Sequence, residues 1–375
     1  MDASSPPRIA NLMRFFSKPM WRRSCAALLA LTLSMPALPC TTFVVDGDGG
    51  PLFGRNYDFE FGDAMLVVNP RGLVKTSATE ATAGQQPATW TARFGSLTFN
   101  QYGVGFPTGG VNERGVVVEL LWLAGARYPD ADARPTVSTL EFIQYLLDQA
   151  ATLDEVVRAA ADVRIRGATP LHFLVSDREG GTATVEFLEG RLVVHRGATL
   201  PVRVLTNDRY DRSLEALQQQ SAAGERQSLP ADASSLSRFM RAASLLQPPA
   251  TSMSSAQRST ADAFAVLDAV AQSGATHWQI VYELQPGVVR YRTAANRDLR
   301  YVDFTRLDYG CRAGVRLLDI DRGRGDMTAQ WQPYSRAADE AQLRIAYRKT
   351  SFLRDQPPES AVRDAEKTAA GLRCG

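Results

Sequence analysis

ALPCTTFVVDGDGGPLFGRNYD, residues 37–58, places a cysteine at the head of a strand–turn–strand. TTFVVD (Thr41–Asp46) is rich in β-branched and aromatic residues, Gly47–Gly50 is a turn, and PLFGRN returns as a second strand. A chain cut before Cys40 would carry a thiol and a free α-amino group on one residue, a nucleophile with its own base. A free thiol titrates near ~8.5 and needs help at neutral pH. An α-amino group titrates at roughly 7.7–8.0 and can take the thiol proton. The returning strand brings Arg55 and Asp58 back beside residue 40, Asp58 to hold the amine and Arg55 to favour the thiolate. On these residues alone, an ordinary Arg55–Asp58 ion pair at a hairpin end is the plainer account.

Residues 1–39 read as a signal peptide or pro-segment. Arg8, Arg14, Lys18, Arg22 and Arg23 are followed by the apolar run Cys25–Leu33, which is too short to span a membrane. Export to the periplasm, or secretion, is therefore expected. Ala37 suits a signal peptidase, but Pro39 suits neither that enzyme nor a lipoprotein cut. A cut after Ala37 followed by self-trimming to Cys40 reconciles the two. A reading from another class is an exported binding protein in which Cys40 is a lipid anchor or a structural thiol. A Cys-His protease using His172 or His277 is a third.

Composition narrows the field. The chain has 375 residues, 45% hydrophobic, and a formal net charge of +2, with no dense basic patch interleaved with aromatics. Nucleic acid is set aside as a partner, and no stable membrane span is expected. The three histidines lack metal-ligand spacing, so no metal is expected, and the chemistry needs no organic cofactor. Once Cys25 is lost with the signal, Cys311 and Cys374 are left free to pair in an oxidising compartment and Cys40 is the odd thiol.

After the hairpin, strands run through GVVVELLWL (115–123). Two helices follow, TVSTLEFIQYLLDQA (capped by Ser138 or Thr136) and TLDEVVRAAADV, with Thr152 and Glu155 spaced as a capping box. An antiparallel meander covers 171–207, helices return at 235–246 and 261–271, and the last hairpin is HWQIVYEL-QPG-VVRYRT. Strands, helices, strands, helices, strands without βαβ alternation predict an α+β fold of antiparallel sheets with helices on their outer faces. One domain spans 40–318; residues 319–375 form a charged extension expected to be peripheral.

CTTFVVDGDGGPLFGRNYDFEFG resembles the mature start of the choloylglycine hydrolase and penicillin V acylase family of N-terminal-nucleophile hydrolases. The resemblance continues in order through GVNERGVVVELLW, LHFLVSDREGGTATVEFLEGRLVVH, VLTND, SSLSRFMRA and HWQIVYELQPGVVRYRT, covering most of Cys40 to about Cys311. It implies a four-layer αββα sandwich and hydrolysis of a linear non-peptide amide through a thioester. Cys40 is then nucleophile and base, with Arg55 and Asp58 the orienting pair. Asn207 is the amide donor to the oxyanion, and Arg238 holds the cluster together. Trp122 stands where bile-salt-cleaving members carry a second asparagine. Its backbone N–H is then the oxyanion donor, and its indole either lines an acyl pocket or is a sheet-face aromatic. Phe59 and Phe61, in the 57–63 loop, are expected to grip the acyl group. The resemblance also implies a homo-oligomer, a tetramer, and an N-acyl amide substrate such as penicillin V, an N-acyl homoserine lactone or a conjugated bile acid. An acyltransferase of the same architecture is the alternative within enzymes.

Overall fold

β1 (Thr41–Gly47) and β2 (Gly50–Asp58) pair antiparallel from Thr41↔Asn56 to Gly47↔Gly50. The computed structural model describes residues 40–82, 84–222, 232–247, 257–359, 361–363 and 373–374; residues 1–39, where the sequence leads one to expect a signal, lie outside them. Gly50 takes a φ of 110°, open only to glycine at little cost, and so closes the turn. Gly54 has no side chain because the Phe43 ring lies where a Cβ would stand.

β2 pairs on its other edge with Thr276–Glu283, putting Thr276 opposite Asp58 across a register irregularity. Around this centre runs a seven-stranded sheet in the order Val204–Leu205, β1, β2, Thr276–Glu283, Val288–Thr293, Arg300–Asp303, Gly325–Asp326. A nine-stranded antiparallel sheet packs face to face with it, with Leu171–Ser176 and Val117–Trp122 near its middle. The inner faces meet in one cluster that includes Phe53, Phe99, Val117, Leu121, Trp278, Tyr282 and Tyr291. Each such side chain contributes ~1.5–3 kcal/mol through burial.

Helices cover both outer faces. α1 (Thr139–Gln149) and α2 (Leu153–Asp162) set Phe142, Ile143, Leu146 and Val156 against Val118, Phe173 and Val185 of the nine-stranded sheet. α3 (Tyr210–Ala222), α4 (Ser235–Leu246) and α5 (Thr260–Ala269) lie on the side of the seven-stranded sheet, with Phe239, Phe264 and Leu267 in its cluster. The result is the expected αββα sandwich. Ser138, not Thr136, caps α1, with Glu141 completing the box. Thr152 caps α2, but the Glu155 carboxylate accepts from Ala151 N at 2.8 Å instead of closing the box. α3 was not anticipated.

The segment after Leu318 is not peripheral. A boundary there cuts through Arg316–Asp319, which pairs with Met65–Asn69, and the later strands Gly325–Asp326 and Gln332–Pro333 extend the two sheets. α6 (Arg336–Lys349) buries Asp339, Gln342, Leu343 and Ala346 beneath its charged outer face. Gln342 Nε2 donates to the Asp63 and Gln101 carbonyls at 2.9 and 3.0 Å. Cys311 and Cys374 are joined in a disulfide, and Arg373–Cys374 pairs with Leu73–Val74. The described residues, from Cys40 on, form one compact unit. No described helix is long and apolar enough to cross a membrane.

Candidate active site

Cys40 stands just ahead of β1 and is 3% exposed. Its Sγ lies 3.5 Å from the Asp58 carbonyl oxygen. α4 begins with Ser235, whose hydroxyl accepts from Asn207 N at 2.8 Å, so the helix start holds the chain at residue 207. One turn in, Arg238 donates from Nη1 to the Cys40 carbonyl and to Thr41 Oγ1 (2.8 Å), and from Nη2 to Asn207 Oδ1 at 2.9 Å. With its oxygen held there, the Asn207 amide nitrogen points the other way and donates one hydrogen to the Trp122 carbonyl at 2.9 Å. Its second hydrogen is not engaged by that bond. Asp58 Oδ1 accepts from the Thr276 hydroxyl, while Oδ2 is buried without a partner. A buried acceptor left unpaired is costly and marks a place where another group fits.

Arg55 is not paired with Asp58. Side chains alternate along a strand, and positions three apart point to opposite faces. Arg55 faces the other sheet, where it forms a fully buried ion pair with Glu119 and donates to the carbonyls of Thr108 (3.1 Å) and Leu120 (3.3 Å). The second oxygen of Glu119 takes the Tyr282 hydroxyl, and the guanidinium lies 4.7 Å over the Tyr57 ring. A Cβ on Gly109 would collide with this pair. Arg55 thus clamps the two sheets and reaches Cys40 only through its field.

That field matters because Cys40 and Asp58 are both buried. Burial, then the Asp58 charge, pushes the Cys40 thiol up to about 11, against the pull of Arg55 and Arg238. Burial also pushes the Asp58 carboxyl up to about 7, against the Thr276 hydrogen bond and the two arginines. Both values belong to a chain whose bond to residue 39 is intact. In that state the thiol holds its proton at neutral pH.

A cavity of about 150 Å³ opens on Cys40, bordered by Tyr57, Phe59, Leu120, Trp122, Leu171 and Phe352 among others. Phe59 and Trp122 therefore line it as expected, Trp122 with its ring centroid 6.0 Å from that of Phe352. Phe61 does not: it packs behind, 5.5 Å from the Phe59 ring and 6.5 Å from Tyr102. Neither candidate histidine bonds to Cys40. His172 is buried between Glu186 (3.2 Å) and the Thr206 carbonyl (2.7 Å), and His277 Nε2 lies 3.1 Å from the Phe59 carbonyl. No group of three or more acidic, His or Cys side chains that could hold a metal occurs among the described residues. Sequence reading missed Thr276, one position before the HWQIVYEL segment. It also missed Glu119 within GVVVELLW, and Phe352 and Leu353, for which no sequence signal exists.

Residues 40–308 match the family model for linear amide C–N hydrolases, choloylglycine hydrolase family. The chain belongs to the choloylglycine hydrolase family. Among its relatives is a penicillin V acylase of Pectobacterium atrosepticum, 26% identical over 336 residues, covering 77% of this chain and 88% of that one. The structure of penicillin V acylase from Agrobacterium tumefaciens superposes with a TM-score of 0.68 at 26% identity, covering 79% of this chain and 98% of that one. A mutant of the conjugated bile acid hydrolase from Clostridium perfringens shares the fold at TM-score 0.63 and 19% identity, covering 76% and 98%. In this member of the choloylglycine hydrolase family, Cys40, Asp58 and Trp122 border one apolar cavity, and Arg238 and Asn207 are bonded to Cys40 and Trp122 behind it. Everything from Cys311 onward lies beyond the matched segment.

Proposed function

We propose that the exported chain is cut before Cys40 and hydrolyses a linear N-acyl amide, with Cys40 as nucleophile. The unpartnered, buried Asp58 Oδ2 beside Cys40 carries this reading, since a freed α-amino group is a donor that it lacks. An ammonium there would draw the carboxyl down from about 7 and leave it charged. The neutral amine then takes the thiol proton, and the thiolate attacks the acyl carbonyl. The oxyanion is held by the free Nδ2 hydrogen of Asn207 and a backbone N–H. The leaving amine takes its proton from the α-ammonium as the C–N bond breaks to give a thioester. Water, deprotonated by the same amine, attacks the thioester and releases the acid.

The cavity bears on the acyl group. An apolar cavity of about 150 Å³ takes one benzene ring, which suits a penicillin V-like aryloxyacetyl group or a short chain. A steroid acyl group is much larger. The test is an amide panel assayed for released amine, with N-terminal sequencing of wild type and Cys40→Ala. Expected are a mature start at Cys40 in the wild type, loss of activity in Cys40→Ala and Cys40→Ser, and a drop in kcat of about 10²–10³-fold in Asn207→Ala. An active Cys40→Ala, or a wild-type start ahead of residue 40, would overturn the reading. An identical start in wild type and Cys40→Ala would assign the cut to a peptidase instead of self-processing.

A further inference from the structure

We infer that Leu353, with Phe352, is a specificity-determining wall: supplied from beyond the family segment, it limits the length of the acyl group accepted at Cys40. The inference rests on the amidase reading of this site.

Leu353 borders two cavities. One is the apolar cavity on Cys40, of about 150 Å³, and the other a neighbour of about 460 Å³ that reaches Ser138, Arg166 and Tyr347. Tyr102, Leu140 and Thr169 are the remaining shared borders, and of the four only Leu353 comes from the segment after α6. On that side Leu353 borders both cavities and stands between them. The inner cavity has room for about six carbon atoms, the size of a benzene ring. A longer chain must displace Leu353 to enter the second cavity.

The wall is held in place from the site's own loop. Lys349 Nζ pairs with Asp63 at 2.6 Å and Thr350 Oγ1 meets the Tyr102 hydroxyl at 3.0 Å. Ser351 N and Oγ each donate to a Glu60 oxygen at 2.5 Å. Glu60 and Asp63 follow directly on Asp58 and Phe59, so the wall is tied to the strand that orients Cys40. Phe352 and Leu353 are both partly buried, and Phe352 packs beside Trp122 on the border of the inner cavity.

Leu353→Ala opens the partition by truncation. Glu60→Ala removes the Ser351 anchor without touching the cavity, and so carries the test if Leu353→Ala fails to fold. kcat/KM is measured on N-acyl amides from butanoyl to dodecanoyl, and binding of the matching free acids to the same purified proteins is measured by calorimetry. Wild type is expected to peak near six carbons. Both variants should shift the optimum to longer chains, with about a tenfold or larger gain for decanoyl over hexanoyl, since each further buried methylene favours binding about fourfold. Unchanged length profiles in both variants, in kinetics and in acid binding, would overturn the inference. If no amide is cleaved but acid binding shifts with Leu353→Ala, the wall stands and the amidase reading falls.

Discussion

At the scale of single residues, the decisive group is Arg238, which grips Cys40 through its carbonyl and Asn207 through its amide oxygen. One guanidinium therefore fixes both Cys40, the proposed nucleophile, and the rotamer that turns Asn207 Nδ2 to the Trp122 carbonyl. Asp58 is the residue whose charge is most exposed to test. In the uncleaved chain its carboxyl is raised from 3.8 to about 7, so the folded state holds a proton that the unfolded state has lost. That advantage is present at low pH and is lost as pH rises from about 4 to about 7. Asp58→Asn should therefore gain stability relative to wild type across that interval and level off above it, read as urea midpoints between pH 4.5 and 9. In the mature protein the neighbouring ammonium should remove or reverse the gain. Equal profiles in the two forms would take the amine away from Asp58. Cys40 and Asp58 are candidates from the hairpin itself, whereas Asn207 and Arg238 stand out only through the family resemblance of VLTND and SSLSRFMRA. The plainer local account, an Arg55–Asp58 ion pair, fails because the partner of Arg55 is 64 residues away, and strand alternation alone argues against it.

Among the elements, β2 carries the most constraint. Phe53, Arg55 and Tyr57 turn towards the nine-stranded sheet, whereas the Asn56 amide bonds the Leu267 carbonyl of α5. The Arg55–Glu119 pair crosses the sandwich with neither side chain exposed. Removing one partner leaves a bare charge in the core. Glu119→Ala is expected to cost about 3–5 kcal/mol, and Gly109→Ala should force the same pair apart by steric collision. Unfolding free energies from urea titration within about 0.5 kcal/mol of wild type for both would mean that water reaches Arg55. Element order and sheet direction could be read from strand alternation and turn residues, and four of the helices from apolar spacing and caps. α3 escaped because its residues are mostly polar, and Gly109–Asn112 because glycines hide a strand that has to pass close to Glu119.

For the molecule as a whole, the tail is the part that sequence did not disclose. Charge along 319–375 describes its outer surface, while its inner contacts mix a few apolar side chains such as Leu343 with polar ones such as Gln342, too few in a row to leave a periodic trace. The Cys311–Cys374 bond spans 63 positions and pins the end of the chain to Leu73–Val74. Cys374→Ser is expected to cost about 2–4 kcal/mol under oxidising conditions, and reductant should bring wild type down to the variant. A wild-type melting temperature indifferent to reductant would refute this.

The burial of Cys40 has a further consequence for how the chain acquires that bond. Three thiols allow three pairings, and two of them would consume the nucleophile. Cys40 belongs to a local hairpin whose partner strand closes within 18 residues, long before Cys374 arrives from synthesis. In the folded chain the burial of Cys40 keeps the wrong partner out of reach and leaves the right pair by default. A denatured, fully reduced chain has no such ordering, so oxidative refolding should scramble its disulfides unless the hairpin forms before oxidant is added.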